Sequence, residues 1–326
     1  MKAFVGALLA AAASAEVMSS LDYDFMHYIG KFNKKYSTIE EYKMRIVEFA
    51  KNDEFIKEAN SRRGRSYKAG HNKFSDFTDE EYKALLGLPP MPHVEETEEW
   101  VADQVDISNL PEAFDWRDEG MVTPVKDQGA CGSCWAFSAT EAVESAYMIQ
   151  KDGAMTIMAP QQLVDCSWAE GNNGCNGGWY YWAYDYLAGA KLQTESSYPY
   201  TAQDGTCSYN EADGVTTVST YGETKGTAAN LAQLAQQPVN VAVAAGNNVF
   251  RNYSGGVITA DDGCPRLIDH AILAVGWGVD ENGVQYYIVR NSWGTGWGVD
   301  GYVNIATSDG RFGVCGINTN VYYPTL

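Results

Sequence analysis

The stretch Gln128-Gly129-Ala130-Cys131-Gly132-Ser133-Cys134-Trp135-Ala136-Phe137-Ser138 places a thiol where an apolar helical pattern begins, with a side-chain amide six residues upstream. Trp135, Phe137, Ala142, Ala146, Met148 and Ile149 predict a helix over 134–150, with Ser133 in the capping position. A thiol at a helix mouth is a candidate nucleophile, because the helix N-terminus and a nearby imidazolium both favour its thiolate. The chain has four histidines, at 27, 71, 93 and 270. Only His270 follows the motif, so a base from the same folded unit has one candidate.

Composition narrows the classes around this stretch. At 326 residues with 45% hydrophobic content, the chain can build a sizeable core and more than one unit. Its net charge of −19 argues against a nucleic-acid binder, since no basic stripe is present. From Leu110 onward 9 Lys+Arg stand against 23 Asp+Glu, and before it 14 against 19. Such a surface suits solubility in an acidic compartment. Lys2, the apolar run Ala3 to Ala13 and the small-x-small triplet Ala13-Ser14-Ala15 predict a secretory leader over 1–15 rather than a buried helix. The run is too short to span a bilayer, and no later stretch approaches the length required. Export turns seven cysteines into disulfides plus a remainder, and the odd count leaves at least one thiol unpaired. Six paired cysteines allow fifteen connectivities, which chain order alone does not resolve.

Three segments follow the leader. Residues 21 to about 86 are charged, helical in pattern and free of cysteine. Ser37 and Thr38 precede Glu40 and Glu41, a doubled capping signature for a helix running towards Asn60. Glu41 and Arg45, four apart, predict a helical ion pair. Glu41, Arg45, Phe49, Asn52, Ile56 and Asn60 share one helix face. A polar face carrying Phe and Ile predicts docking rather than solvation. Residues 87–109 bring Pro89, Pro90 and Pro92, then Glu95, Glu96, Glu98 and Glu99, and predict a flexible, cleavable acidic connector. From Leu110 the chain gains all its cysteines and eight of its nine tryptophans. Its helical first half precedes strand patterns at 239–244, 271–275, 285–289 and 302–305. Two subdomains with a cleft between them follow as the expected architecture.

The cleft chemistry needs two further groups. Asn291, in Asn291-Ser292-Trp293-Gly294, can accept a hydrogen bond from an imidazole and so fix its ring and tautomer without adding charge. Gln128 and the backbone N–H of Cys134 would give two donors to an oxyanion developing in acyl transfer.

With those residues placed, the chain resembles the papain-like cysteine peptidases, most closely the cathepsin L branch, over nearly everything after the leader. The face Glu41/Arg45/Phe49/Asn52/Ile56/Asn60 resembles the ERFNIN-type inhibitory propeptide helix, and Gly70-x-Asn72-x-Phe74-x-Asp76 its second propeptide motif. Leu110-Pro111-x-x-x-Asp115-Trp116-Arg117 looks like a mature start. Gly174-Cys175-Asn176-Gly177-Gly178, Asp269-His270-Ala271 and Asn291-Ser292-Trp293-Gly294 match the remaining active-site blocks. The resemblance implies an α+β fold with a helical left domain and a barrel-like right domain, preceded by a helical inhibitory propeptide. The implied divisions are 1–15 leader, 16–109 propeptide and activation linker, and 110–326 peptidase. Cys134 would be the nucleophile, His270 the acid/base, Asn291 the orienter, Gln128 the oxyanion donor, and Trp293 a shield over the His–Asn bond. Implied disulfides are Cys131–Cys175, Cys166–Cys207 and Cys264–Cys315.

Gly177 and Gly178 would present backbone to an extended substrate. Trp179, Tyr180, Ala242, Ile268, Ala271 and Asn320 would line the main specificity pocket. That lining predicts a bulky apolar side chain two residues before the cleaved bond in preference to arginine. Polypeptide substrates, the chain's own propeptide as inhibitor, cystatin-like inhibitors and a monomeric state are implied, with no cofactor, metal or nucleic acid. The implied location is the secretory pathway, ending in a lysosome, digestive vacuole or the exterior.

Departures and competing readings matter too. Ala159-Pro160-Gln161 loses a capping hydroxyl but sets proline at a tolerated first helical position. One histidine after Leu110 excludes a paired-histidine occluding loop and favours an endopeptidase. Cys131 and Cys134 as a redox pair lack the strand–helix setting, and a zinc site lacks a second ligand pair. Gly294-x-Gly296-x-Gly298 precedes a strand pattern and reads as a turn. Asp269 is expected to tune electrostatics beside the base. Asn252-Tyr253-Ser254 is a glycosylation sequon. Held by partners in the propeptide, Asp76 would make acid protonation a trigger for release. An inactive peptide-binding relative and a transpeptidase are the alternative functions.

Overall fold

In the computed structural model, which describes residues 19–91, 101–151 and 153–326, each helix of the N-terminal segment begins at a side-chain cap. Ser19 and Asp22 form a capping box for α1 (Ser20–Lys31). Thr38 accepts from Glu41 N–H to start α2 (Ile39–Ser61), and Glu41 returns its carboxylate to Ser37 N–H at 2.7 Å. Phe25 and Tyr28 of α1 pack on Phe49 of α2. Glu41 is thus used at the cap, and the expected Glu41–Arg45 pair is replaced. Arg45 reaches forward to Glu81, bound through Nη2 at 2.7 Å and through Nη1 as well. The carboxylate 36 residues away gives two parallel donors a better fit than a helical neighbour.

Short strand β1 (Lys68–Ala69) and α3 (Asp79–Lys83) complete this segment. It crosses onto the rest of the chain through β1. Further on, after β2 (Phe114–Asp115), comes α4 (Cys134–Gln150). Almost every residue of α4 is buried, including Glu141 and Glu144. Burying carboxylates requires partners. Glu144 accepts from Thr123 Oγ1 and Met158 N–H, both at 2.6 Å, and pairs with Lys126, while Glu141 pairs with Arg290 at 3.1 Å. Helices α5 (Pro160–Cys166) and α6 (Tyr180–Leu187) pack on α4, with Pro160 at the first position of α5.

The second half is built on strands β3 (Leu192–Gln193), β4 (Gly214–Thr216), β5 (Thr220–Thr224) and β6 (Val239–Val243), with α7 (Thr227–Leu234) between the last two. After α8 (Asn248–Arg251) come β7 (Tyr253–Gly255), β8 (Val257–Ile258), β9 (His270–Val279), β10 (Gln285–Arg290), β11 (Tyr302–Ala306) and β12 (Val321–Thr325). The main sheet runs β5-β12-β6-β9-β10-β11-β8, with β2 added on β9. The central strand β9 is buried along nine of its ten residues. Ala271, Leu273 and Val275 face α4, and Ser138 Oγ of α4 donates to Ile272 O at 2.8 Å across that junction. Disulfides join Cys131–Cys175, Cys166–Cys207 and Cys264–Cys315, and Cys134 is free.

Three further expectations change. Ser133 precedes α4, but its hydroxyl pairs with Tyr200 Oη at 2.7 Å instead of capping the helix. Gly87 and Leu88, assigned to the flexible connector, are seated in the interior, Leu88 being 8% exposed. The apolar run around them outweighs the prolines that follow. Asn252 is fully buried, its Nδ2 donating to Asn52 Oδ1 of α2 (2.9 Å) and Asn248 O (3.1 Å). The fold leaves no room there for a glycan, so the sequon is not a modification site in this form. The leader and Glu95–Glu99 lie outside the described residues.

Candidate active site

Local backbone chemistry brings the pieces together. The α4 N-terminus holds Cys134, and the first residue of β9 is His270, while Asn291 follows the last residue of β10. Cys134 Sγ accepts from Ala271 N–H at 3.5 Å, so the thiol and the start of β9 touch.

His270 Nε2 lies 2.8 Å from Asn291 Oδ1. The same oxygen accepts from Ser292 N–H at 2.8 Å, which fixes the amide orientation. An amide oxygen only accepts, so Nε2 carries the proton and Nδ1 is the basic nitrogen of the neutral ring. Nδ1 is buried without a partner. The Trp293 ring stacks on the imidazole at 4.6 Å, and Phe250 closes its edge at 6.2 Å. Gln128 is clamped between the halves: Oε1 accepts from Ser292 Oγ (2.8 Å) and Nε2 donates to Cys131 O (2.8 Å).

The N-terminal segment fills what remains. Gly87 N–H donates to Cys134 Sγ at 3.3 Å, and Gly87 O accepts from Gly178 N–H at 2.9 Å. Leu85 O takes the second hydrogen of Gln128 Nε2 at 2.8 Å, and Leu88 N–H donates to Asp269 O at 3.2 Å. A Cβ on Gly87 would fall 1.9 Å from Gly132 O, and one on Gly177 would fall 2.7 Å from Gly87 O. Both contacts are inside van der Waals range, so the close approach needs glycine on each side. Phe74 and Tyr82 stack edge-on against Trp293 at 5.2 and 5.6 Å. Tyr82 Oη donates to Ala245 O at 3.0 Å.

This cover sets the electrostatics. Burial pushes the Cys134 thiol up to about 11, with N–H donors from Ala271, Gly87 and Trp135 opposing it. Burial likewise pulls the His270 imidazole down to about 4. Both groups are neutral in the closed form, opposite to the thiolate–imidazolium pair that the helix mouth alone suggests. Asp269 does not point at the imidazole to relay protons; its carboxylate caps Ala245 N–H (2.6 Å) and Gly246 N–H (3.0 Å).

The pocket residues separate into two groups. Trp179, Tyr180, Ala242, Ile268 and Ala271 share one buried cluster with Cys134. Asn320 joins it through the Tyr180 hydroxyl, which donates to Asn320 O at 2.8 Å. In the N-terminal segment, Asn52 Nδ2 donates to Ser75 O (3.1 Å) and Asn60 Nδ2 to Ala69 O (2.8 Å), while Phe49 and Ile56 are buried. Gly70 N–H donates to Asn252 O (2.8 Å), and Asn72 Nδ2 to Arg251 O (2.6 Å). Asp76 accepts from Tyr28 Oη (2.7 Å), Lys34 Nζ (2.6 Å) and Tyr36 Oη (2.9 Å). Sequence reading missed Leu85, Gly87 and Leu88. Their only local signal is the apolar run Leu85-Leu86-Gly87-Leu88 inside a polar segment. Among the described residues no cluster of His, Cys, Asp or Glu could hold a metal, and no helix is long and apolar enough to cross a membrane.

Two family models match the chain. Residues 110–325 match the papain family cysteine proteases, and residues 25–82 match the cathepsin propeptide inhibitor domain (I29). A cathepsin L-like proteinase of Fasciola hepatica is 39% identical, covering 100% of this chain and 99% of that protein. Ananain of Ananas comosus is 36% identical over 97% of this chain and 91% of its own length. The solved structure of digestive procathepsin L 3 from Tenebrio molitor larval midgut superposes with a TM-score of 0.81 at 34% identity, over 94% of this chain and 100% of that one. The chain therefore belongs to the papain family of cysteine proteases and is a zymogen, with an inhibitory propeptide preceding its protease domain.

Proposed function

We propose that this zymogen yields an acid-activated, cathepsin L-like endopeptidase whose nucleophile is Cys134. In the opened cleft His270 Nδ1 takes the thiol proton, and the thiolate attacks the scissile carbonyl carbon. The resulting oxyanion is held by Gln128 Nε2 and the Cys134 N–H. Collapse expels the amine, which takes the proton from His270, and leaves a thioester on Cys134. Water then attacks the thioester with His270 again as base, releasing the acid and restoring the thiol. Asn291 keeps the imidazole in its tautomer throughout, and Trp293 shields their hydrogen bond.

One observation carries this reading: Gly87 N–H lies over Cys134 Sγ while Leu85 O occupies the Gln128 donor. The segment blocks nucleophile and oxyanion donor together, as an inhibitor of that chemistry must.

Acid activation follows from linkage. His270 is held near 4 when covered, against an ordinary value of 6.5. Folding and closure favour its neutral form, so the closed state loses stability as pH falls from about 6.5 towards 4. Asp76 gathers Lys34, Tyr28 and Tyr36, so losing its charge would weaken the propeptide from within. Cleavage in the connector frees a protease domain starting within about residues 103–111.

Gly177 and Gly178 hold extended substrate backbone, and the cluster around Tyr180 takes a bulky apolar side chain two residues before the cleaved bond in preference to arginine. Export, an acidic lysosomal, vacuolar or extracellular setting, a monomeric state and sensitivity to cystatin-like inhibitors belong to the same reading.

The test is to acidify the purified zymogen, label it with a thiol-directed epoxide and map the adduct. Processing with labelling at Cys134 and peptidase activity is expected. Processing without modification of Cys134, or without activity, overturns the proposal.

A further inference from the structure

Behind the reacting groups lies a cluster of ionisable side chains that the proposed reaction does not use. The Arg290 side chain is 0% exposed and that of Glu141 is 2% exposed, and the two face each other at 3.1 Å. The Arg290 fork also donates through Nη1 to Thr123 Oγ1 at 3.1 Å and through Nη2 to Pro124 O at 2.5 Å. Thr123 Oγ1 donates in turn to Glu144 at 2.6 Å, and Glu144 pairs with Lys126. The cluster therefore ties together α4, the stretch 123–126 and the end of β10.

Each of those three leads to a residue of the site. Glu141 stands two helical turns beyond Cys134, on the same face of α4. Lys126 is followed closely by Gln128, whose backbone N–H donates to Ser292 O at 2.8 Å. Arg290 is the last residue of β10 and immediately precedes Asn291. The β10–β11 ladder also ends at Arg290, opposite Tyr302, so the Arg290 side chain anchors the backbone from which Asn291 departs.

A buried ion pair is a poor stabiliser beside apolar side chains of similar size, because desolvating both charges offsets their attraction. What this cluster supplies instead is direction. A planar guanidinium held by a carboxylate, a hydroxyl and a carbonyl fits them in one arrangement, and a displaced backbone would break all three contacts.

We propose that Arg290 is a positioning residue for the catalytic groups. By locking the end of β10 to Glu141 of α4 and to Thr123 and Pro124, it fixes Asn291, and through it the His270 imidazole, relative to Cys134 and Gln128. The inference rests on the reading that Cys134, His270 and Asn291 carry the reaction.

The experiment uses enzyme from the full-length zymogen as wild type, Arg290→Lys and the double variant Glu141→Leu/Arg290→Met. The double variant removes both partners together, so neither is left buried alone. Each is processed in trans, and its active sites are counted with the thiol-directed epoxide. Melting temperature, kcat and KM on one peptide, and the rate of thiol alkylation against pH are then measured.

The double variant is expected to melt near the wild-type temperature while kcat per active site falls about tenfold and KM stays nearly constant. The acid limb of its alkylation profile should move to higher pH, because a loosened imidazolium supports the thiolate less well. Arg290→Lys keeps a cation but not the fork, and should show the same changes at smaller size. It carries the comparison by itself where the double variant does not fold. Wild-type kcat with an unmoved alkylation profile in a folded variant overturns the inference. So does a lower melting temperature with kcat per active site unchanged, since that marks a merely structural role. Wild type without an epoxide adduct at Cys134 instead sinks the reading on which the inference stands.

Discussion

The propeptide contains two regions of opposite physical character, its own scaffold and the strand it lays in the cleft. The scaffold is organised by charge. Asp76, 2% exposed, gathers Lys34, Tyr28 and Tyr36, and Arg45 spans to Glu81 and to Asp76 O. Ion pairs Lys73–Asp127, Arg251–Asp79 and Arg65–Asp262 then fasten it to the protease domain. The cleft strand bears no charge: Leu85, Gly87 and Leu88 act through backbone groups and apolar burial. The cleft is thus covered by backbone and apolar groups, on a scaffold held by ion pairs. The difference separates what covers the thiol from what holds the cover in place.

The hardest test removes the target of both regions. Cys134→Ser should abolish self-processing and lower peptide hydrolysis by at least about a thousandfold after processing in trans, because the base and oxyanion donors cannot replace the thiol. Comparable turnover would end the assignment. Gln128→Ala should cost about a hundredfold in kcat, the loss typical of one oxyanion donor, with a smaller change in KM. An effect confined to KM would make Gln128 a binding residue only.

Two changes then weigh strand against scaffold. Gly87→Val cannot seat beside Gly132 O, so thiol labelling of the intact zymogen at pH 7 should rise about tenfold, in line with losing a close backbone contact. Labelling as slow as wild type would show that the strand is dispensable. Asp76→Asn keeps the shape but not the charge, and should shift the midpoint of acid activation towards neutral pH. A variant as latent and as acid-activated as wild type breaks the scaffold half of the comparison.

The smallest effect belongs to Glu81. Arg45 holds its carboxyl below the ordinary 4.5, so the ionised form contributes stability above that value, lost as pH falls through the folded value. Glu81 is 39% exposed, and screening keeps the contribution small. Glu81→Gln should loosen the propeptide slightly at pH 7, and the difference from wild type should vanish as pH falls well below the ordinary 4.5, measured by the rate of thiol labelling against pH. Equal rates across that range would remove Glu81 from the trigger.

Much of this was legible in the chain. The 3.6-residue pattern after Cys134 marked α4 to the residue, and the apolar runs marked β6, β9, β10 and β11 within a few positions. Those patterns carry because they are local: burial of one face repeats at a fixed period. The reading failed where one residue had two suitors. Arg45 had Glu41 one helical turn away, and chose Glu81 through a turn that only the folded chain brings close. Ser133 stood in a cap position, and Tyr200 took its hydroxyl. Asn252 fitted a sequon, and α2 covered it.

By itself the sequence determined the class of chemistry, since a thiol at a helix mouth, one later histidine and an amide beside Trp293 leave few alternatives. It also determined which segment serves as the inhibitor. Tertiary structure alone decided the state of that chemistry. Covered by Gly87, both the thiol and the imidazole are neutral, because burial penalises charge on each more than their hydrogen bonds repay. No spacing along the chain encodes that desolvation; it arises when residues 47 positions apart share one cleft.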